Sequence, residues 1–227
     1  MKIIDSYDTL PLGIYLDIMA LCEDAAMEED DRQLQIISLL TGEDEDTLLK
    51  LPILEFRELA RKAQFLEVEA PRPAAMPAKL RLGDMTLIPT TKVTKLTTAQ
   101  FVDYQTFAKE GHKRLVEQLS CFLIPQGCDY GEGYDMEEVH AAIREYLTVT
   151  QAQGLAAFFF GRWRRYVGST LIYSAWKAKR IREPKTREET LSRIREAQAA
   201  FKKGGDGSTA FAWSAIPPIR RGIPCGR

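Results

Sequence analysis

The sequence has few of the side chains on which metal sites and catalytic centres depend. Its 227 residues include only two histidines, His112 and His140. Neither histidine has a metal-ligand residue three or four positions further on, the spacing that places two ligands on one helix face. Asp129, Glu132 and Asp135 are close in sequence but lack the ligand spacing of an EF-hand loop. The sequence therefore predicts no metal site.

Cysteine is equally scarce, and long apolar runs are absent. The four cysteines form no C-x-x-C pair, a usage typical of free thiols in a reducing compartment. The N-terminus has no apolar core of a signal peptide. The strongest apolar run, 154–161, is far shorter than the roughly 20 residues that span a bilayer. These absences predict a cytoplasmic protein without a membrane partner.

Motifs for catalysis and cofactor binding are missing as well. The glycine-rich phosphate-binding patterns G-x-x-x-x-G-K-[ST] and G-x-G-x-x-G do not occur. No combination of nucleophile, base and orienting acid can be identified. We therefore expect a protein that is not an enzyme and uses no cofactor.

The charge is nearly balanced over the chain but unevenly placed. The net charge is −1, yet acidic clusters occupy 28–31 and 43–46, while 161–227 is basic. Opposite signs at the two ends can attract within the chain or between copies, so self-association is one interpretation. The alternative interpretation is two solvated helix faces.

The pattern of apolar residues and breakers predicts a mainly α-helical fold in four segments. Residues 1–68 form a small acidic helical unit, and 69–79 a proline-rich linker. Residues 80–203 combine a short β-hairpin, turning at Gly83-Asp84, with a larger helical bundle. Residues 204–227 read as a flexible tail.

Several residues predict where helices begin and end. Three capping boxes are predicted, in which a threonine and the Gln or Glu three positions later satisfy each other's backbone N–H groups. Thr9, Asp30 or Asp31, Asp44 or Asp46, and Asp135 are predicted to cap further helices. Gly42 suits a left-handed helix end. The capping boxes are Thr97 with Gln100, Thr148 with Gln151, and Thr186 with Glu189.

One segment has the composition of a contact surface. Arginines alternate with aromatics in Arg162, Trp163, Arg164, Arg165 and Tyr166. Such residues can neutralise phosphate and stack on bases, or can contact a protein partner. On a helix, however, the aromatics and two of the arginines fall on different faces, as in an ordinary amphipathic helix.

Six stretches resemble bacteriophage and prophage tail assembly chaperones, and the likeness as a whole covers about residues 8–180. They are LPLGIY at 10–15, QLQIISLLTG at 33–42, LPILEF at 51–56, LTTAQFVDYQ at 96–105, FLIP at 122–125 and YGEGYD at 130–135.

The resemblance implies a non-enzymatic protein of the host bacterial cytosol. It implies that the chain binds the tape-measure protein, keeps the helices of that protein soluble and delivers it to the tail-tube protein. Two alternatives stay open from the residues: a structural virion component of the neck or baseplate, and a nucleic-acid-binding accessory protein that uses residues 161–182.

Overall fold

The computed structural model describes residues 1–68 and 76–162, together with 186, 188–196, 198 and 199. Contacts between Cα atoms group the chain into two units. The first contains residues 1–68, 76–89 and 123–154, and the second contains 90–122 and 155–162 with the described residues from 186 onward. The strands and one later helix thus belong with the N-terminal helices. Residues 69–75 of the predicted linker and the whole predicted tail, 204–227, lie outside the described residues.

The first unit begins with four helices. Their bounds are α1, Leu12–Glu23; α2, Glu29–Thr41; α3, Glu45–Leu49; and α4, Ile53–Ala63, which continues as a 3₁₀ turn, Gln64–Glu67. Asp44 accepts a hydrogen bond from the Thr47 backbone N–H at 2.7 Å and so caps α3 as predicted. Gly42 ends α2 with φ +75°, also as predicted. Two of the cap predictions are wrong. Pro11 precedes α1, and the Thr9 hydroxyl bonds Ser6 instead. Glu28 precedes α2, so Asp30 and Asp31 lie inside its first turn.

Tyr7 connects the N-terminal segment to the end of α4. Its hydroxyl donates to the backbone oxygens of Leu66 and Val68, at 3.1 and 2.9 Å. Its ring packs edge-on against Phe65, with 5.0 Å between centroids. Burial raises the pKa of Tyr7 to about 12, because the phenolate would lose its hydration.

A three-stranded antiparallel sheet follows in the order β1 (Leu80–Leu82), β2 (Met85–Pro89), β3 (Leu123–Pro125). The predicted hairpin is confirmed: Leu82 pairs with Met85 around Gly83-Asp84. β3 adds to β2 with Ile88 opposite Ile124. The sequence left open whether the hairpin pairs with another strand, because β3 comes from a segment 34 residues beyond β2.

Helix α7, Met136–Tyr146, packs against α1. Asp135 caps α7 by accepting from the Glu137 N–H at 2.9 Å, as predicted. The Leu12 N–H donates to the Leu147 oxygen at 2.7 Å, and the Val149 N–H to the Leu10 oxygen at 2.9 Å. These bonds connect the start of α1 directly to the chain that follows α7.

The second unit contains α5 (Thr98–Ala108) and α6 (Leu115–Ser120), and it packs aromatic rings inside. Tyr104 lies edge-on to Phe122 at 5.1 Å, and Phe122 stacks on Phe159 at 4.5 Å. The Thr97–Gln100 capping box is present in full. The Gln100 amide, buried here, also donates to the Cys121 oxygen at 2.9 Å.

Residues 149–162 are helical and form α8, which is preceded by the second predicted capping box. The Thr148 and Gln151 side chains each accept from the other's backbone N–H, at 3.4 and 3.1 Å. The third box, at Thr186, includes residue 187, which lies outside the described residues. The mainly α-helical fold with a short hairpin is confirmed.

Candidate partner-binding surface

The loop at 125–134 is organised by its backbone and not by a ligand. The Glu132 N–H donates to the Asp129 oxygen at 3.0 Å, which closes a tight turn, and Asp135 is engaged as the cap of α7. The Cys128 thiol donates to the Gly133 oxygen at 3.6 Å. Among the residues with described positions, no three His, Cys, Asp or Glu side chains converge as metal ligands would. The Asp135 carboxylate therefore has a structural role as the cap of α7.

Of the arginine and aromatic residues singled out in the sequence, only Arg162 can be placed. Its Nη1 donates to the Thr91 oxygen at 2.6 Å, and its guanidinium carbon lies 4.2 Å from the centre of the Phe158 ring. The guanidinium thus has two partners within its own chain. Trp163, Arg164, Arg165 and Tyr166 lie outside the described residues, so the contact role of this segment stays a prediction.

Three large aliphatic side chains are exposed where α3 meets α4. Leu49 is 69% exposed, Ile53 63% and Leu54 71%, while Leu48 is 1% exposed. We call Leu49, Ile53 and Leu54 the α3–α4 patch. They lie within six consecutive residues, so they are close together along the chain.

The geometry of the two helices explains why the patch is not buried. Successive helix residues point about 100° apart, so a five-residue helix that buries Leu48 turns Leu49 away. Pro52 starts α4, and the buried face of α4 is formed further along by Leu59 and Ala60. The first turn of α4 therefore extends beyond the part of the helix that packs on the core.

Carboxylates surround the patch. Segment 43–58 carries six acidic and two basic residues, a net charge of −4. All six acidic residues are exposed, among them Glu45, Asp46, Glu55 and Glu58. Asp44 is committed to capping α3, and the hydrogen bonds from Thr47 lower the pKa of its carboxyl. The surface around the patch is thus anionic at neutral pH.

The first unit also contains a hollow beside the N-terminal segment. It has a volume of about 440 Å³, within the range of small-molecule pockets. Its walls are mostly aliphatic, with Lys2 and Asp5 among the lining residues. The aliphatic members are Ile3, Ile4, Ile14, Leu39 and Leu40. Thr9 and Thr41 also line it, so the hollow has four polar side chains beside its five aliphatic ones.

Leu49, Ile53 and Leu54 are absent from the contact residues predicted from the sequence. A usable signal was present: the pairs Leu48-Leu49 and Ile53-Leu54 place neighbouring aliphatics about 100° apart on short helices. A helix of five residues has too narrow a buried face to cover both members of such a pair.

In the part of the chain that is described, no helix combines the length and apolar character that crossing a bilayer requires. No protein-family model, curated protein or solved structure matches this chain.

Proposed function

We propose that this chain is a non-enzymatic tail assembly chaperone of a phage or prophage, which binds the tape-measure protein in the bacterial cytosol and helps assembly of the tail tube. The observation that carries the proposal is the exposure of Ile53 and Leu54. Both belong to LPILEF at 51–56, one of the stretches on which the resemblance rests. Their exposure supports a role in binding a partner.

The energy available at such a surface suits a reversible chaperone. Fully burying a leucine or isoleucine side chain gains about 1.5–3 kcal/mol. Because the three patch residues are already about one-third covered, each can contribute roughly 1–2 kcal/mol on binding. A sum of a few kcal/mol supports a contact that forms and releases, as a client delivered to tail-tube subunits requires.

Co-expression with the tape-measure gene of the same phage or prophage tests the proposal. We expect the tape-measure fragment to be soluble and to co-purify with this chain, and to aggregate when expressed alone. A tape-measure fragment that behaves identically with and without the chain would contradict the proposal.

Purified particles separate the chaperone from a structural component of the virion. A chaperone leaves before the tail is finished, so mass spectrometry of intact particles should not detect this chain. Its presence at a fixed number of copies in each particle would favour the neck or baseplate alternative.

A further inference from the structure

We infer that the α3–α4 patch binds an amphipathic helix whose apolar face is flanked by lysine or arginine. The inference rests on the proposed function and assigns the chemistry of the client segment. It follows from the shape of the patch, from the secondary structure around it and from the charges beside it.

The shape fits a helix. Leu49 and Ile53 are four residues apart, so their Cα atoms lie within about 14 Å of each other. The apolar stripe of a partner helix, with anchors at i, i+4 and i+7, covers about 10 Å along its axis. Two or three anchors of such a helix can therefore contact Leu49, Ile53 and Leu54 together.

An extended partner fits less well. The outer strands of the sheet, β1 and β3, have three residues each. An added strand gains its affinity from a row of main-chain hydrogen bonds, and three-residue edges provide few of them. The exposed apolar surface lies on helices, where side-chain packing supplies the affinity.

The charge beside the patch selects a basic partner. Glu45, Asp46, Glu55 and Glu58 take part in none of the ion pairs formed among the described residues. These carboxylates are therefore available to a cationic partner, which would associate faster and in a salt-dependent manner. A second copy using the same patch would place these carboxylates opposite their own kind, which disfavours a symmetric dimer there.

Binding of the full chain to three labelled peptides, measured by fluorescence anisotropy, tests the inference. Each peptide has roughly 18 residues, or five helical turns. The first combines a leucine face with lysine flanks, the second has the same leucine face with glutamate flanks, and the third contains the leucines and lysines in an order that forms no apolar face. We expect the first to bind at least tenfold more tightly than the other two, and to weaken as salt is added.

Two double variants and a matched control locate the binding site. Ile53→Ser with Leu54→Ser should weaken binding of the leucine–lysine peptide by about 10-fold or more, the loss expected for two partly buried aliphatic contacts. Glu55→Lys with Glu58→Lys should weaken that peptide and strengthen the leucine–glutamate peptide. Phe101→Ser with Val102→Ser removes exposed apolar groups elsewhere, 39% and 53% exposed, and should leave binding unchanged.

Several results would overturn the inference. The first is that the third peptide binds as tightly as the first peptide. The second is that the Phe101/Val102 control loses as much affinity as the Ile53/Leu54 double variant, which we call the patch variant. The others are a patch variant that binds with unchanged affinity, and a dimer of the chain that dissociates in the patch variant. Replacing exposed residues changes stability by only about 0.5 kcal/mol, so we expect each variant to fold. Circular dichroism checks that it does.

Capture of the tape-measure fragment separates this inference from the proposed function. If the patch variant still captures the fragment, the chaperone proposal stands and the patch assignment is wrong. If the unmodified chain binds the leucine–lysine peptide but never captures the fragment, the patch assignment stands and the chaperone proposal is wrong.

Discussion

Gly13 provides the sharpest test of how α1 packs against α7. It is buried at the second position of α1. A Cβ atom added there would lie 2.8 Å from the Arg144 backbone oxygen and 3.2 Å from the Arg144 Cβ. These atoms belong to the helix backbone and its first side-chain carbon, so they cannot rotate away. Gly13→Ala therefore forces α1 and α7 apart.

The expected cost follows from two opposing terms. Overpacking of this kind costs about 1–3 kcal/mol. Replacing glycine by alanine in a helix returns up to about 1 kcal/mol. Separating the helices also strains the 2.7 Å hydrogen bond from the Leu12 N–H to the Leu147 oxygen. We expect a net loss of about 1–2 kcal/mol, or roughly 2–8 °C in Tm for a chain of this size.

Gly161→Ala is the matched control. Gly161 lies in α8, and among the described residues nothing lies within 4 Å of a Cβ placed there. The same substitution should therefore leave stability unchanged or raise it by up to about 1 kcal/mol. Thermal unfolding followed by circular dichroism measures both variants. A Gly13→Ala protein as stable as the unmodified chain would refute the close packing of α1 on Arg144.

Three further predictions concern buried polar groups and caps. Gln153→Leu should stabilise the protein by about 1–2 kcal/mol in urea unfolding, because no described residue offers the buried Gln153 amide a hydrogen bond. Tyr7 is an acid whose pKa is raised on folding, so its contribution to stability is complete below pH 10 and is lost between pH 10 and about 12. Tyr7→Phe should make stability less dependent on pH across that window. Thr97→Ala should cost about 1 kcal/mol, because it removes one half of a capping box.

Each of these predictions has a result that would contradict it. Gln100→Leu is the comparison for Gln153. The Gln100 amide has hydrogen-bond partners at both its oxygen and its nitrogen, so its loss should destabilise the protein. Equal changes in stability for the two variants would contradict the prediction for Gln153. For Tyr7, identical pH profiles of the unmodified chain and the phenylalanine variant would rule out its linkage to folding. For Thr97, thermal unfolding of the alanine variant at the original Tm would show that the cap adds no stability.

Helix starts and the hairpin could be predicted because their causes are local. The hydroxyl of Thr97 and the amide of Gln100 satisfy backbone groups only three residues away. Gly83 and Asp84 reverse the chain within two residues, with φ of +58° at Gly83. Thr9 shows the limit of such reasoning: its hydroxyl found a partner in Ser6, and Pro11 began the helix without a side-chain cap.

The candidate surface could not be predicted in the same way. Leu48 and Leu49 have the same side chain in the same short helix, yet one is 1% and the other 69% exposed. Sequence patterning marks both as apolar, and only the position of the neighbouring helices separates them. The sequence did supply the acidic composition of 43–46, which is one of the observations behind the inference.

By itself, the sequence determined the helical class, most caps and the turn of the hairpin, since these depend on contacts within a few residues. Only the tertiary structure decided that β3 joins the hairpin, that Gly13 lies against Arg144, and that Ile53 and Leu54 stay outside the core. Such outcomes depend on which distant segments come together. Burial is a property of that arrangement and not of any residue alone.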